Sequence, residues 1–263
     1  MIEPIIFIFT GILVGIAAGL FGLGGGLIIV PVVTYSLIFF SHTPLDQAIL
    51  IGISTSLASM VLTGAMATYV HTKNKNINYK IINKFIIGIL FGALLIGYII
   101  NIIPGQSLKN FFIIYTFFIA YSISNHKTNF AKSKLPNNFI SNLIGFIFST
   151  TSGLVGIGGA TLFIPYLIKK NIPTKLAIGS SSALGFLIGI GASISIFISS
   201  LYSIPIDNTM FGFIYLPAIL FLTMPSLIII RLSANWLLKI SDANLKKLFS
   251  SMLLIIGLLM LIN

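Results

Sequence analysis

Cysteine is absent from the 263 residues. That excludes disulfides, thiol catalysis and thiolate-held metal, and leaves the redox compartment unmarked. Acid is scarce: Asp and Glu together number 4, against 15 Lys and Arg. None of these charged residues falls near the middle of an apolar segment, so no catalytic carboxylate pair, metal-ligand cluster or cofactor is expected. Charged residues make up 7% of the chain and hydrophobic ones 57%, with mean hydropathy +1.08. Soluble domains carry about 25% charge. The composition predicts an all-α polytopic membrane protein. In a soluble chain the net charge of +11 would suggest nucleic acid. Here the lysines sit in short loops between apolar runs, where they set orientation. The start, Met1-Ile-Glu-Pro, lacks the positive region of a signal peptide, so the first apolar run is expected to belong to the mature protein.

Apolar segments run at 5–22, 27–40, 45–70, 82–101, 108–124, 139–155, 158–168, 174–201, 211–230 and 246–262. Several pieces of the windows 5–40 and 139–168 are shorter than the ~20 residues that span a bilayer. Each window is either one kinked crossing or a hairpin that returns to its starting side. Loop charge separates the two. With hairpins, loops 71–84, 125–138, 169–175 and 231–247 share a face and hold every one of the 15 basic residues except Lys109. With single crossings the basic residues divide almost evenly. The positive-inside rule selects hairpins, with the basic loops cytoplasmic and both termini outside the cell membrane. Each half then has one hairpin and three crossings, so the second half is inverted relative to the first. The expected organisation is a first membrane repeat over 1–124, a basic linker over 125–138 and a second repeat over 139–263.

The hairpins turn at glycines. Gly19-Leu-Phe-Gly-Leu-Gly-Gly-Gly26 recurs as Gly153-Leu-Val-Gly-Ile-Gly-Gly-Ala160, and Pro31 matches Pro165. Glycine costs a helix about 1 kcal/mol relative to alanine. In lipid an irregular backbone survives only where protein buries it or it lines a cavity. Counting about 1.5 Å per residue from the loops places both tips near the middle of a core about 30 Å thick. Ser54, Thr55 and Ser56 lie at similar depth on the helix starting near Pro44, and Ser180, Ser181 and Ser182 on the helix starting near Pro173. A helix start offers free N–H groups and the positive end of its dipole, which suits an anion, and glycine lets that anion approach. The candidate substrate-binding residues are Gly22, Gly24, Gly25, Gly26, Ser54, Thr55, Ser56, Gly156, Gly158, Gly159, Ser180, Ser181 and Ser182. Pro31 and Pro165 are expected to shape the short helices. Gly11, Gly15, Gly88, Gly92 and Gly97 are expected to pack helices closely. His42, His71 and His126 are expected at segment ends, at the membrane interface.

These features resemble the TauE/SafE, or sulfite exporter, family of membrane permeases. The resemblance rests on the repeated glycine motif to Pro31 and Pro165, on Ser54-Thr55-Ser56-Leu57 and Ser180-Ser181-Ser182, on the basic stretch His71–Tyr79, and on Leu216-Pro217 through Leu245. It covers nearly the whole chain. It implies export of a small, mostly sulfur-containing anion such as sulfite or an organosulfonate. Ala160, where the first half has Gly26, departs from strict repetition.

The expected function is therefore secondary transport of a small anion by alternating access around a midplane site. The expected partners are the lipid bilayer and that anion, with a proton or cation as coupling species and no nucleic acid. The alternative is a passive anion channel or an accessory membrane subunit. An intramembrane enzyme is disfavoured, because no histidine lies at the depth of Ser54. Nucleotide binding fails because no strand precedes the glycines.

Overall fold

The structure, a computed structural model, describes residues 2–124, 135–200, 209–237 and 239–262. Among them the order is α1 (Ile2–Phe21), α2 (Gly26–Ser41), α3 (Leu45–Lys73), α4 (Tyr79–Ile100), α5 (Gly105–Ser124), α6 (Asn138–Leu154), α7 (Ala160–Lys169), α8 (Thr174–Ser200), β1 (Met210–Phe211), β2 (Ile214–Tyr215), α9 (Leu216–Trp236) and α10 (Asp242–Ile262). Seven helices (α1, α3, α4, α5, α8, α9 and α10) are long and apolar enough to cross a membrane. The chain is a multi-pass helical membrane protein. Rows of large apolar side chains face outward, such as Phe91 and Tyr98 on α4 and Ile255 and Leu258 on α10. His126, Lys127, Lys132, Lys134 and Asp207 lie outside the described residues, as does most of the 125–138 linker.

Both glycine windows fold back on themselves. At the first, Gly22 takes φ +65° and its N–H closes on Ala18 O at 2.9 Å, ending α1. A left-handed residue at this position is the usual helix stop, and glycine adopts it without a steric penalty. The chain reverses, so that Gly25 lies against Val14, and Phe7 and Val14 share a core with Ile29, Val33 and Leu37 of α2. At the second, Gly156 has φ +70°, Gly156 N–H bonds Gly153 O at 2.9 Å, and Ile157 N–H reaches Ser152 O at 3.0 Å. Phe148 of α6 then meets Phe163 and Tyr166 of α7 with ring centroids 5.2 and 5.7 Å apart. At about 1.5 Å per residue, α2 is about 24 Å long and α7 about 15 Å.

Glycine also sets the interhelical distances. Gly11, Gly15 and Gly19 of α1 lie against the carbonyls of Leu222, Ser226 and Ile230 of α9, a four-residue spacing on both helices. The two helices therefore run parallel. Gly88 and Gly92 of α4 sit in the same way on Asn142 O and Phe146 O of α6. Without side chains between them the backbones approach closely, and packing rather than the hydrophobic effect holds helices together in lipid. Ser233 Oγ donates to Gly15 O at 2.9 Å across the first pair. The longest helices, α3 and α8, cross at Met60 and Gly189.

Helix ends sort by charge. Lys84 Nζ donates to Pro136 O at 2.7 Å, and Ile123, Ile168, Thr174 and Lys246 line one cavity, which gathers the described basic loops at one end. At the other, Tyr215 donates to Glu3 at 3.1 Å and Gln106 N–H to Asp46 at 3.3 Å. The 211–230 segment differs from its sequence reading. Its first residues form a β-hairpin with Gly212 at φ +61°, and α9 starts only at Leu216. The apolar run Met210-Phe-Gly-Phe-Ile-Tyr215 reads equally as strand or helix.

The glycine seams yield a first expectation. A Cβ at Gly15 would crowd Ile229 and the Ser226 carbonyl. Gly15→Leu should destabilise by at least the 1–3 kcal/mol typical of overpacking, about as much as a tight core loses. A thermal melt of purified protein by intrinsic fluorescence checks this; an unchanged Tm would show that the seam is loose.

Candidate functional site

The two glycine tips touch. A Cβ on Gly26, the first residue of α2, would overlap the Gly156 carbonyl and lie 3.1 Å from Ile157 Cα. At Gly158 it would lie 3.2 Å from Leu23 O and overlap the Met60 side chain. Two helix N-termini thus meet in the interior, each carrying about half a positive charge from its dipole. In α2 the Ile28 and Ile29 N–H groups close on Gly25 O at 3.0 and 3.1 Å, which leaves those of Gly26 and Leu27 ahead of the first helical bond. In α7 the Leu162 and Phe163 N–H groups close on Gly159 O at 3.1 and 2.9 Å, which leaves those of Gly159 and Ala160 ahead. Pro31 and Pro165 sit inside α2 and α7. Lacking an N–H, each releases the carbonyl four residues before it, Leu27 and Thr161.

The hydroxyl clusters hold these tips crosswise. Ser56 of α3 donates to Gly156 O at 2.6 Å, so the first cluster holds the second tip. Ser182 of α8 packs against Gly22 Cα, so the second cluster holds the first tip. Thr63, two turns beyond Ser56, donates to Gly24 O at 2.7 Å. Ser54 donates to Leu50 O at 2.7 Å and Ser182 to Ile178 O at 3.0 Å within their own helices. Thr55 and Ser180 do something else. Thr55 Oγ1 accepts the Tyr215 N–H at 2.9 Å, and Ser180 Oγ accepts the Asn78 N–H at 3.0 Å. Tyr215 and Asn78 are the N-cap residues of α9 and α4. Each link ties the start of one helix, through a loop, to the hydroxyl cluster of the other half. One link lies toward the acidic end and the other toward the basic end.

Not all hydroxyls are occupied. Ser181 Oγ and Ser59 Oγ are buried and have no hydrogen-bond partner among the described residues. The geometry also leaves room at one glycine. A Cβ on Gly185 of α8 would meet nothing nearer than the Gly159 nitrogen, at 3.9 Å. Gly185 therefore leaves room for a methyl group beside the N-terminus of α7. In the register that pairs Ser56 with Ser182, Ser59 stands where α8 has Gly185.

The sequence reading did not single out Ser59, Met60, Thr63 or Gly185. Ser56, Met60 and Thr63 are spaced i, i+4 and i+7, which puts them on one helix face. That spacing was the available signal. What it does not disclose is that Met60 reaches Gly24, Gly158 and Gly189 and so fills the space between the tips. Gly25, with φ +85° and Val14 against it, is required by the turn whatever its role toward a ligand. Chemically, the site offers N–H and O–H donors and helix dipoles, with no charged side chain among the residues described above.

Ser56→Ala should leave the buried Gly156 carbonyl unpaired and cost about 1–3 kcal/mol. The measurement is the melting temperature of the purified variant beside wild type. Ser54→Ala, which loses only a bond within its own helix, should fall less. Equal losses would deny the cross-tip bond its role.

A model of the family described as sulfite exporter TauE/SafE matches residues 7–260. A probable membrane transporter protein of Haemophilus influenzae is 30% identical over 255 residues, covering 97% of this chain and 96% of its own. One from Methanocaldococcus jannaschii is 32% identical over 273 residues, covering 100% of this chain and 96% of its own. A third, from Bacillus subtilis, is 29% identical over 218 residues, 74% of this chain and 78% of its own. No solved structure matches the chain. With the glycine-turned hairpins, the apolar spans and a family match over nearly its full length, the chain belongs to the sulfite exporter TauE/SafE family of membrane transporters.

Proposed function

We propose that this transporter moves a small oxyanion, of the sulfite or organosulfonate class, across the cell membrane by alternating access around the glycine tips. The observation that carries the reading is the meeting of two helix N-termini in the interior, where Gly185 leaves room for a methyl group beside the Gly159 nitrogen. Free N–H groups and the positive dipole end suit an anion. The hydroxyls of Ser59 and Ser181 have no partner among the described residues and are available to complete its shell. A site without fixed charge avoids the cost of burying one in the membrane, and it releases its cargo more readily.

The packing supports two inverted repeats, 1–124 and 139–263, joined by the basic linker 125–138. α1 packs on α9 and α6 on α4, so the first and fourth elements of each half exchange partners. In this reading the basic end is cytoplasmic and both termini lie outside. The Asn78–Ser180 link closes the cytoplasmic side, and the Tyr215–Thr55 link closes the other. Breaking one while keeping the other gives the two access states. Met60 between the tips and the Ser56 bond to Gly156 leave no continuous passage there, which favours a carrier over a passive channel.

Purified protein in lipid nanodiscs should show a selective thermal shift with one of sulfite, thiosulfate, sulfate, sulfoacetate or taurine. Ligand at 100 times its Kd adds about 2.7 kcal/mol. Gly185→Ala has room for its methyl group and should fold at least as stably as wild type. Gly185→Leu should abolish the shift. An undiminished shift in Gly185→Leu would place the anion elsewhere. The chain has no cysteine, so single cysteines at Glu3 and Lys75 should label from opposite faces of sealed vesicles; same-side labelling would sink the proposed topology.

A further inference from the structure

We propose that His71 and Asn76 form a second anion subsite, which a small oxyanion occupies between the glycine tips and the basic end of the molecule. The inference rests on the anion reading above. It starts from how α3 ends. The Asn76 N–H bonds His71 O at 2.9 Å, the Lys75 N–H bonds Thr72 O at 3.0 Å, and Lys75 takes φ +56°. This closure brings the side chains at the His71 and Asn76 positions together, and the pair there is usually apolar. Here both are polar. His71 is 0% exposed and Asn76 7%. Among the described residues, neither ring nitrogen of His71 and neither side-chain nitrogen of Asn74 or Asn76 has a hydrogen-bond partner. Buried polar groups in native proteins are nearly always paired, so unpaired nitrogens gathered in one turn need a reason.

The chemistry of the group points to an oxyanion. A neutral imidazole offers one N–H and a carboxamide nitrogen two. Exposed Lys73, Lys75 and Lys80 surround the turn and raise the local concentration of anions. Its position points to the transport route. Thr63, Ala67 and His71 are four residues apart on one face of α3, and Thr63 holds the Gly24 carbonyl. His71 therefore lies about 12 Å along the helix from the tip. Asn76 packs on the backbone of Gly179, one residue before Ser180, whose hydroxyl takes the Asn78 N–H. The subsite thus adjoins the link that closes the basic end. An anion leaving the tips passes this turn before it reaches the lysines.

Equilibrium binding of radiolabelled sulfite to the full chain in nanodiscs tests this, with thiosulfate and sulfate measured in parallel. Wild type should bind two anions per chain. His71→Leu and Asn76→Leu should each bind one, and flux in proteoliposomes should fall at least tenfold. The empty variants should melt no lower than wild type, because an apolar side chain of similar size removes an unpaired buried polar group. Two anions bound and normal flux in both variants would overturn the subsite and leave the tip site standing. A lower Tm with one anion still bound by wild type would make the imidazole structural and overturn it too. If wild type binds none of the three anions, the anion reading falls, and the subsite with it. Should His71→Leu fail to fold, Asn76→Leu decides alone.

Discussion

Inside a bilayer no water is available to pair with a backbone, so a chain that breaks its helices must supply every missing partner itself. The two glycine turns create that debt in the middle of the molecule, and much of the surrounding structure answers it. Ser56 reaches the Gly156 carbonyl at 2.6 Å and Thr63 the Gly24 carbonyl at 2.7 Å. Thr55 and Ser180 take the N–H groups that begin α9 and α4. Side-chain hydroxyls on two long helices thus do the work that a helical ladder does elsewhere. They do it without charge, which leaves the positive ends of α2 and α7 as the local electrostatic feature.

Two kinds of glycine divide the labour. Those at Gly22 and Gly156 supply the left-handed backbone that ends a helix. Those at Gly11, Gly15, Gly19, Gly88 and Gly92 stay helical and bring neighbouring backbones into contact. The first kind makes the tips and the second makes the seams between helices of different halves. Gly185 belongs to neither, since nothing presses on it.

Much of this was legible in the chain. Apolar run lengths gave the helices, and the doubled glycine motif gave the turns, because both are local and glycine has few other uses inside an apolar run. The convergence of the tips with Ser56 and Ser182 followed from counting residues. Contacts that depend on how α3 crosses α8 were not legible: Met60 touches both tips only because the helices meet at that residue. The β-hairpin at Met210–Tyr215 was hidden by its composition, since a wholly apolar run lacks the alternation that marks a half-buried strand. His71 was expected at the interface. It is at the end of its helix, yet it is completely buried, with the turn closed by Asn76, which packs on Gly179 of α8.

The seam between α1 and α9 has a mechanical property beyond adhesion. Three glycines four residues apart rest on three carbonyls four residues apart. Such a surface is periodic, and its period is close to one helical turn, about 5.4 Å. Sliding α1 by that step would bring two of the three glycines to rest on carbonyls again. Intermediate offsets press backbone against side chain. Relative motion along this seam is therefore indexed rather than continuous, with stations one turn apart.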